Sequence, residues 1–385
     1  MRPPLVSGWL FAAAAFLLAT AICTAGPLPS PILYNPSLAS TRTYWPTSEW
    51  RIARPSETGM DASILDGLVP QLARSGALAA LVVRRGLVVL EWYRARDGRD
   101  SLFNVYSCTK SILSAIVGIA IDRGLLTGVD RPVSEFFPVV GSTIDAKRKT
   151  GLTFRHLLAM TSGLDWPEWG SWNYYFQPMV DSRDWVQYVL GRPMAAEPGV
   201  LFNYNTGGSQ VLSAVIGQVA GMSGAGTLET GMSGVVTSAA EFARRELFDP
   251  IGIGRVEWPA DPTGVSLGGY GIRMSVRDAA KFAYLYLDNG AWDGHQVVSR
   301  AWVEESTRQQ SDGHPWFGSY GLHWWLRSLA DPRAASAFFA MGYGGQYLFV
   351  VPSLDLVAVF FSWMPGESSF LPMRWLEEFV IRSVR

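Results

Sequence analysis

Apolar and polar positions change period several times along this chain. After a proline-rich stretch from residue 26 to about residue 51, residues 60–75 place their apolar side chains at helical spacing. Residues 78–83 and 87–94 are β-rich runs separated by Arg84-Arg85-Gly86, which predicts a hairpin. Residues 102–106 then lead into a strongly helical stretch, Thr109 to Arg123, with Ile112, Leu113, Ile116, Val117 and Ile119 apolar and Gly124 closing it. From about residue 153 to 245 the pattern is one of short helices joined by aromatic and glycine-rich loops, and residues 221–234, which have no clear period, read as an inserted mobile loop. β character returns at 338–341, 346–351 and 356–363, with Pro352-Ser353-Leu354-Asp355 as a turn, and the chain ends on an amphipathic helix over 371–380. Strands at both ends with helices between them predict an α+β fold. One antiparallel sheet, built from both chain ends and flanked by helices, would carry a mostly helical second lobe over about 153–245. A cleft is expected where the two lobes meet.

The N-terminus adds a different kind of signal. Arg2 precedes an apolar run over residues 9–22, and Cys23-Thr24-Ala25-Gly26 supplies small residues, the layout of a secretory leader with cleavage after Ala25. The expected organisation is therefore a leader (1–25), an extended segment (26–50) and one domain (51–385) that is exported to the periplasm or beyond. An uncleaved anchor is the alternative, and it would be the chain's only tie to a membrane.

With 385 residues, 48% of them hydrophobic, the chain can bury a large core. A formal net charge of −1 gives no basic surface for nucleic acid. The two cysteines, Cys23 and Cys108, would fall to one after processing, so no disulfide framework is expected. Four scattered histidines lack metal-ligand spacing, and nothing points to a cofactor.

Three segments carry candidate chemistry. In Ser107-Cys108-Thr109-Lys110, at a helix start, serine and lysine lie one turn apart on one face. The helix N-terminus favours negative charge developing on Ser107, and a desolvated lysine can take the hydroxyl proton. The second segment, Glu197-Pro198-Gly199-Val200-Leu201-Phe202-Asn203-Tyr204-Asn205-Thr206-Gly207-Gly208, puts Tyr204 in a loop just before a helix. The third, Gly342-Tyr343-Gly344-Gly345-Gln346, places glycines in a β-rich run, where a backbone or a ligand can approach closely.

In this order the three segments resemble the active-site elements of the serine β-lactamase-like superfamily, which includes class C enzymes, D-alanyl-D-alanine peptidases, related esterases and 6-aminohexanoate-dimer hydrolases. Supporting stretches are Thr153-Phe154-Arg155-His156-Leu157-Leu158-Ala159-Met160-Thr161-Ser162-Gly163-Leu164, Phe248-Asp249-Pro250-Ile251-Gly252-Ile253 and Tyr320-Gly321-Leu322-His323-Trp324-Trp325. The resemblance implies that Ser107 is the acylated nucleophile, Lys110 its base and Tyr204 a general acid/base that also serves deacylation. It also implies an oxyanion hole made by the backbone N–H groups of Ser107 and Gln346. Tyr343, Gly345 and Gln346 would face the substrate, and Tyr343 and the Gln346 side chain would offer it neutral hydrogen bonds. His156 reads as structural. Trp166, Trp172 and Tyr174 read either as cleft lining or as ordinary packing.

Two departures bear on substrate. Tyr343-Gly344-Gly345 stands where many relatives have Lys-Thr-Gly or His-Thr-Gly, which removes the cation expected to hold a carboxylate. Asn205-Thr206 replaces the usual residues after the tyrosine, and with the Gly-Tyr-Gly-Gly-Gln version it looks nearest to the aminohexanoate-dimer branch. The expected partner is thus a small ester or linear amide. A D-alanyl-D-alanine peptidase or β-lactamase is the second reading, and a non-catalytic binding protein with the same fold the third.

Overall fold

The computed structural model describes residues 42–139, 144–224, 238–334 and 336–385. The expected leader, most of the extended segment and most of the 221–234 loop lie outside the described residues.

Strands β1 (Ala77–Arg84) and β2 (Leu87–Tyr93) form the expected hairpin. Arg85 and Gly86 close it with φ of 53° and 79°, the two left-handed residues that a tight two-residue turn needs. The sheet continues with β3 (Ser311–His314), β4 (Gly318–Tyr320), β5 (Trp325–Ser328), β6 (Ser336–Gly342), β7 (Gln346–Val351) and β8 (Leu356–Ser362). The strand order is β2-β1-β8-β7-β6-β5-β4-β3. The first hairpin therefore pairs with the last strand, Val82 opposite Ala358, and the two chain ends share one antiparallel sheet. β3 to β5 were not legible beforehand, because they are short and broken by left-handed residues, Gly313, Gly318 and His323.

Both faces of the sheet are covered. Leu81, Val83, Val359 and Phe361 point into one apolar core, and Val82, Ala358, Phe360 and Phe349 into another. Alternate residues feeding two cores explain why these strands are almost continuously apolar. The second core is roofed by helices from both chain ends, through Leu72, Trp375 and Leu376. Against the first lie α1 (Thr109–Asp122), the lobe helices α2 (Glu168–Asp181) and α3 (Thr206–Gly224), and α4 (Val276–Leu287).

α1 runs through the middle of the molecule, buried at every position from Thr109 to Ala120. Ile112, Leu113, Ile116 and Ile119 each stabilise it by about 1.5–3 kcal/mol through burial. Its polar positions are matched individually. Ser111 and Ser114 donate to the His323 and Leu322 carbonyls, both at 2.7 Å. Gly118 lets the Trp302 ring lie against the helix, since a Cβ there would stand 2.3 Å from that ring. The helix start is held in register against both lobes, and that placement builds the site. His156 caps its own short helix with Thr153, a structural position.

Candidate active site

The approach to α1 is a strained turn. Asn104 accepts the Tyr106 N–H at 2.8 Å, and Tyr106 holds φ at 46°, a region that non-glycine residues seldom occupy. Ser107 follows in a 3-10 turn over Tyr106–Cys108, half-buried, and Lys110 sits one turn further on, only 1% exposed. The Lys110 Nζ lies 3.2 Å from Ser107 Oγ, 2.9 Å from Thr206 Oγ1 and 2.8 Å from the Gly269 carbonyl oxygen. Burial pushes the amine down to about 8, against the upward pull of the Glu168 carboxylate. Near neutral pH an accessible fraction of this lysine is therefore a base.

Tyr204 arrives from the loop preceding α3. Its hydroxyl interacts with Ser107, which partly offsets the effect of burial on the phenol, and its ring lies 4.7 Å from Lys110 Nζ. Trp325 stacks on the ring with centroids 6.1 Å apart and planes 17° from parallel, and Trp169 packs at 5.7 Å. Burial raises the phenol well above its ordinary range, so Tyr204 keeps its proton near neutral pH. The structure thus brings Ser107, Lys110 and Tyr204 into one constellation.

The third element arrives as the β6–β7 hairpin. Gly342, paired with Gln346, must be glycine, because a Cβ there would lie 2.4 Å from the Val105 carbonyl oxygen and 3.1 Å from the Ser107 nitrogen. This close approach sets the hairpin backbone against the Ser107 turn. Cys108 reaches the Gln346 carbonyl at 3.7 Å, and burial raises its thiol far above the ordinary range, which leaves it an inert packing group.

Several substrate-facing expectations change. The Gln346 side chain is not free for a ligand. It is 2% exposed, donates to the Tyr343 and Ser362 carbonyls at 3.1 and 2.5 Å, and accepts from the Ser362 N–H. Its amide satisfies the hairpin end, since a buried amide must find partners. Gly345 packs on β8 rather than opening space, because a Cβ there would meet Ser362 Oγ at 2.4 Å. Trp166 is fully buried and points its indole N–H at Glu168, so it supports the site from behind and does not line the cleft. Tyr174 is exposed, with its ring against Tyr175, away from the Ser107 contacts. Trp172 lies outside the described side chains. Tyr343 is exposed as expected and forms an aromatic cluster with Tyr106 at 5.8 Å and Trp363 at 5.9 Å.

Sequence reading missed Glu168, Thr206 and Gly269 as neighbours of the lysine. A lone carboxylate inside the aromatic run Trp166-Pro167-Glu168-Trp169 was the one available signal for the first of them. Arg273, paired with Asn104 beside the Ser107 turn, is engaged by Glu257 at 2.8 Å and by the Leu102 carbonyl.

Known proteins agree with this architecture. Residues 62–378 match the Beta-lactamase family. A 6-aminohexanoate-dimer hydrolase of Paenarthrobacter ureafaciens is 25% identical over 330 residues, covering 79% of this chain and 77% of the relative. A solved family VIII carboxylesterase superposes with a TM-score of 0.61 at 18% identity, over 86% of this chain and 99% of that one. An octameric penicillin-binding protein homologue from Pyrococcus abyssi superposes with a TM-score of 0.61 at 19% identity, over 84% and 79%. At such identities the two structures speak to the fold, the α+β arrangement expected from the sequence. The family match takes in most of the chain, from the first helices under the sheet to the C-terminal helix, and this protein belongs to the beta-lactamase family of hydrolases.

Proposed function

We propose that this protein is an exported serine hydrolase that cleaves a carboxylic ester or linear amide through an acyl-enzyme on Ser107. The observation that carries the reading is a fully buried lysine amine 3.2 Å from the hydroxyl of a partly exposed serine. Lys110 takes the Ser107 proton as Oγ attacks the carbonyl carbon. The oxyanion is met by the N–H groups of Ser107 and Gln346, and loss of one such donor typically costs about 2.7–4 kcal/mol of transition-state stabilisation. Tyr204, which holds its proton, gives it to the departing alcohol or amine. Water then repeats the sequence on the acyl group, with Tyr204 and Lys110 returning the proton to Ser107.

The substrate side supports an uncharged acyl group. Tyr106, Tyr343 and Trp363 form an aromatic wall beside Ser107, and Tyr343 stands where many relatives carry a cation. A carboxylate entering this wall would lose hydration with little in return. The carboxylesterase and aminohexanoate-dimer relatives support the same class. Export is supported by the leader-like residues 1–25.

The test is a panel of short acyl esters, linear amides, D-Ala-D-Ala peptides and a chromogenic cephalosporin. The uncharged esters or amides should give the highest kcat/KM. Equal or better turnover of the cephalosporin would replace this reading with the β-lactamase one.

A further inference from the structure

Glu168 opens α2 and is 7% exposed. Three donors converge on it. The Thr206 hydroxyl reaches Oε1 at 2.6 Å, while the Thr206 N–H and the Trp166 indole N–H reach Oε2 at 2.6 and 2.9 Å. A hydroxyl has one proton, and that of Thr206 is committed to Glu168. The Thr206 oxygen then meets Lys110 Nζ, 2.9 Å away, as an acceptor. The Gly269 carbonyl at 2.8 Å is an acceptor by its chemistry.

The consequence follows from counting hydrogens on the amine. As an ammonium, Lys110 gives one N–H each to Thr206, Gly269 and Ser107. Once the third proton is lost, two N–H bonds remain for the two obligatory acceptors, and the lone pair is left facing Ser107 Oγ. That is the direction in which a base must point to take the hydroxyl proton.

We propose that Glu168 is a positioning residue that fixes the polarity of the Glu168–Thr206–Lys110 chain, so that the neutral amine presents its lone pair to Ser107. The proposal rests on the reading of Ser107 and Lys110 as nucleophile and base. It is distinct from a helix-capping role for Glu168, which the Thr206 N–H contact alone would satisfy.

Glu168→Gln separates the two roles. Glutamine keeps the shape but carries one NH₂ group. Facing Trp166 Nε1 and Thr206 N, two donors that cannot reverse, the amide must turn its oxygen toward them and its NH₂ toward the Thr206 hydroxyl. The hydroxyl then rotates and donates to Lys110, occupying the lone pair.

The rate of Ser107 acylation, read with a fluorophosphonate and with an acyl ester, should fall at least about tenfold in E168Q, a part of the about 10²–10⁴-fold ascribed to a positioned general base. Thr206→Val alone should also slow acylation severalfold, and Thr206→Ser should keep it. The double variant E168Q/T206V, which lacks the offending hydroxyl, should be faster than E168Q. The pH profile gives an independent reading. Glu168 holds the lysine up against burial, so the acid limb of kcat/KM should move to lower pH in E168Q. The other groups facing Lys110 are unchanged there: the Cys108 thiol, the Tyr204 phenol, and His323 against the Lys110 carbonyl. Structural loosening would admit water and move the limb up, toward the ordinary lysine value.

If the unmodified protein is not labelled at Ser107, the underlying reading fails. If it is labelled, the positioning role is overturned by any one of four results. These are unchanged acylation in E168Q, an acid limb displaced upward, a double variant no faster than E168Q, or unchanged acylation in T206V. The last holds even where E168Q does not fold.

Discussion

On one side of the cleft stand Ser107, Lys110, Tyr204, Thr206 and Glu168, packed between α1, α2 and α3, with each polar atom matched to a specific partner. On the other stand Tyr106, Tyr343 and Trp363, with Tyr343 and Trp363 about half exposed and held by edge and stacking contacts between rings. The first wall is mostly buried and polar, so removing one group strands another without a partner. The second is wet and apolar, where each ring contributes modestly and water can replace it. Substitutions on the first wall should therefore change rate, and those on the second should change which substrate is preferred.

Ser107→Ala is the severest test of the first wall. Hydrolysis should fall to the uncatalysed background, and a fluorophosphonate should label the unmodified protein at Ser107 alone, as read by intact mass and peptide mapping. Full activity in the alanine variant would end the mechanism. Tyr204→Phe comes next, with turnover expected to drop about 10²–10⁴-fold at unchanged far-UV circular dichroism. A loss under tenfold would move proton transfer to another group.

Lys110→Arg tests the same wall through its proton. Guanidinium keeps the charge but cannot release a proton near neutral pH, so about 10²-fold or more of the rate should go. On the proposed mechanism the base is the neutral Lys110 amine, whose value is lowered to about 8 by burial. Activity should therefore rise with pH through about 8 and fall away as the amine protonates below it. A kcat/KM profile flat from pH 6 to 10 would show that Lys110 does not titrate in the reaction.

The smallest expected effect belongs to the second wall. Tyr343→Lys restores a cation at the hairpin and should raise kcat/KM for a cephalosporin relative to an uncharged ester by about tenfold, equivalent to about 1.4 kcal/mol. If the ratio stays fixed while the ester rate collapses, the two walls are not separable.

Much of this division was legible in the residues. The hairpin at Arg85-Gly86, the run of α1 and the strand pairs around Pro352 follow from turn chemistry and apolar spacing. Ser107 and Lys110 are a local pair, three residues apart on one helix face, and the glycines at 342, 344 and 345 announced a close approach. The reading went astray at side chains whose roles depend on distant neighbours. Trp166 and the Gln346 amide have the chemistry of ligand contacts, yet burial turns both inward.

The amino-acid order by itself determined the first hairpin, the run of α1 and the last strands, and that a serine and a lysine share one turn, because backbone periodicity fixes the faces of an element. Only the tertiary structure decided what surrounds the lysine. Thr206 and Gly269 come from 96 and 159 residues away along the chain, and Glu168 joins them 38 residues before Thr206. No local period encodes such neighbours. They are chosen when two lobes close over a buried amine, whose hydrogens must find acceptors within about 3 Å once water is excluded.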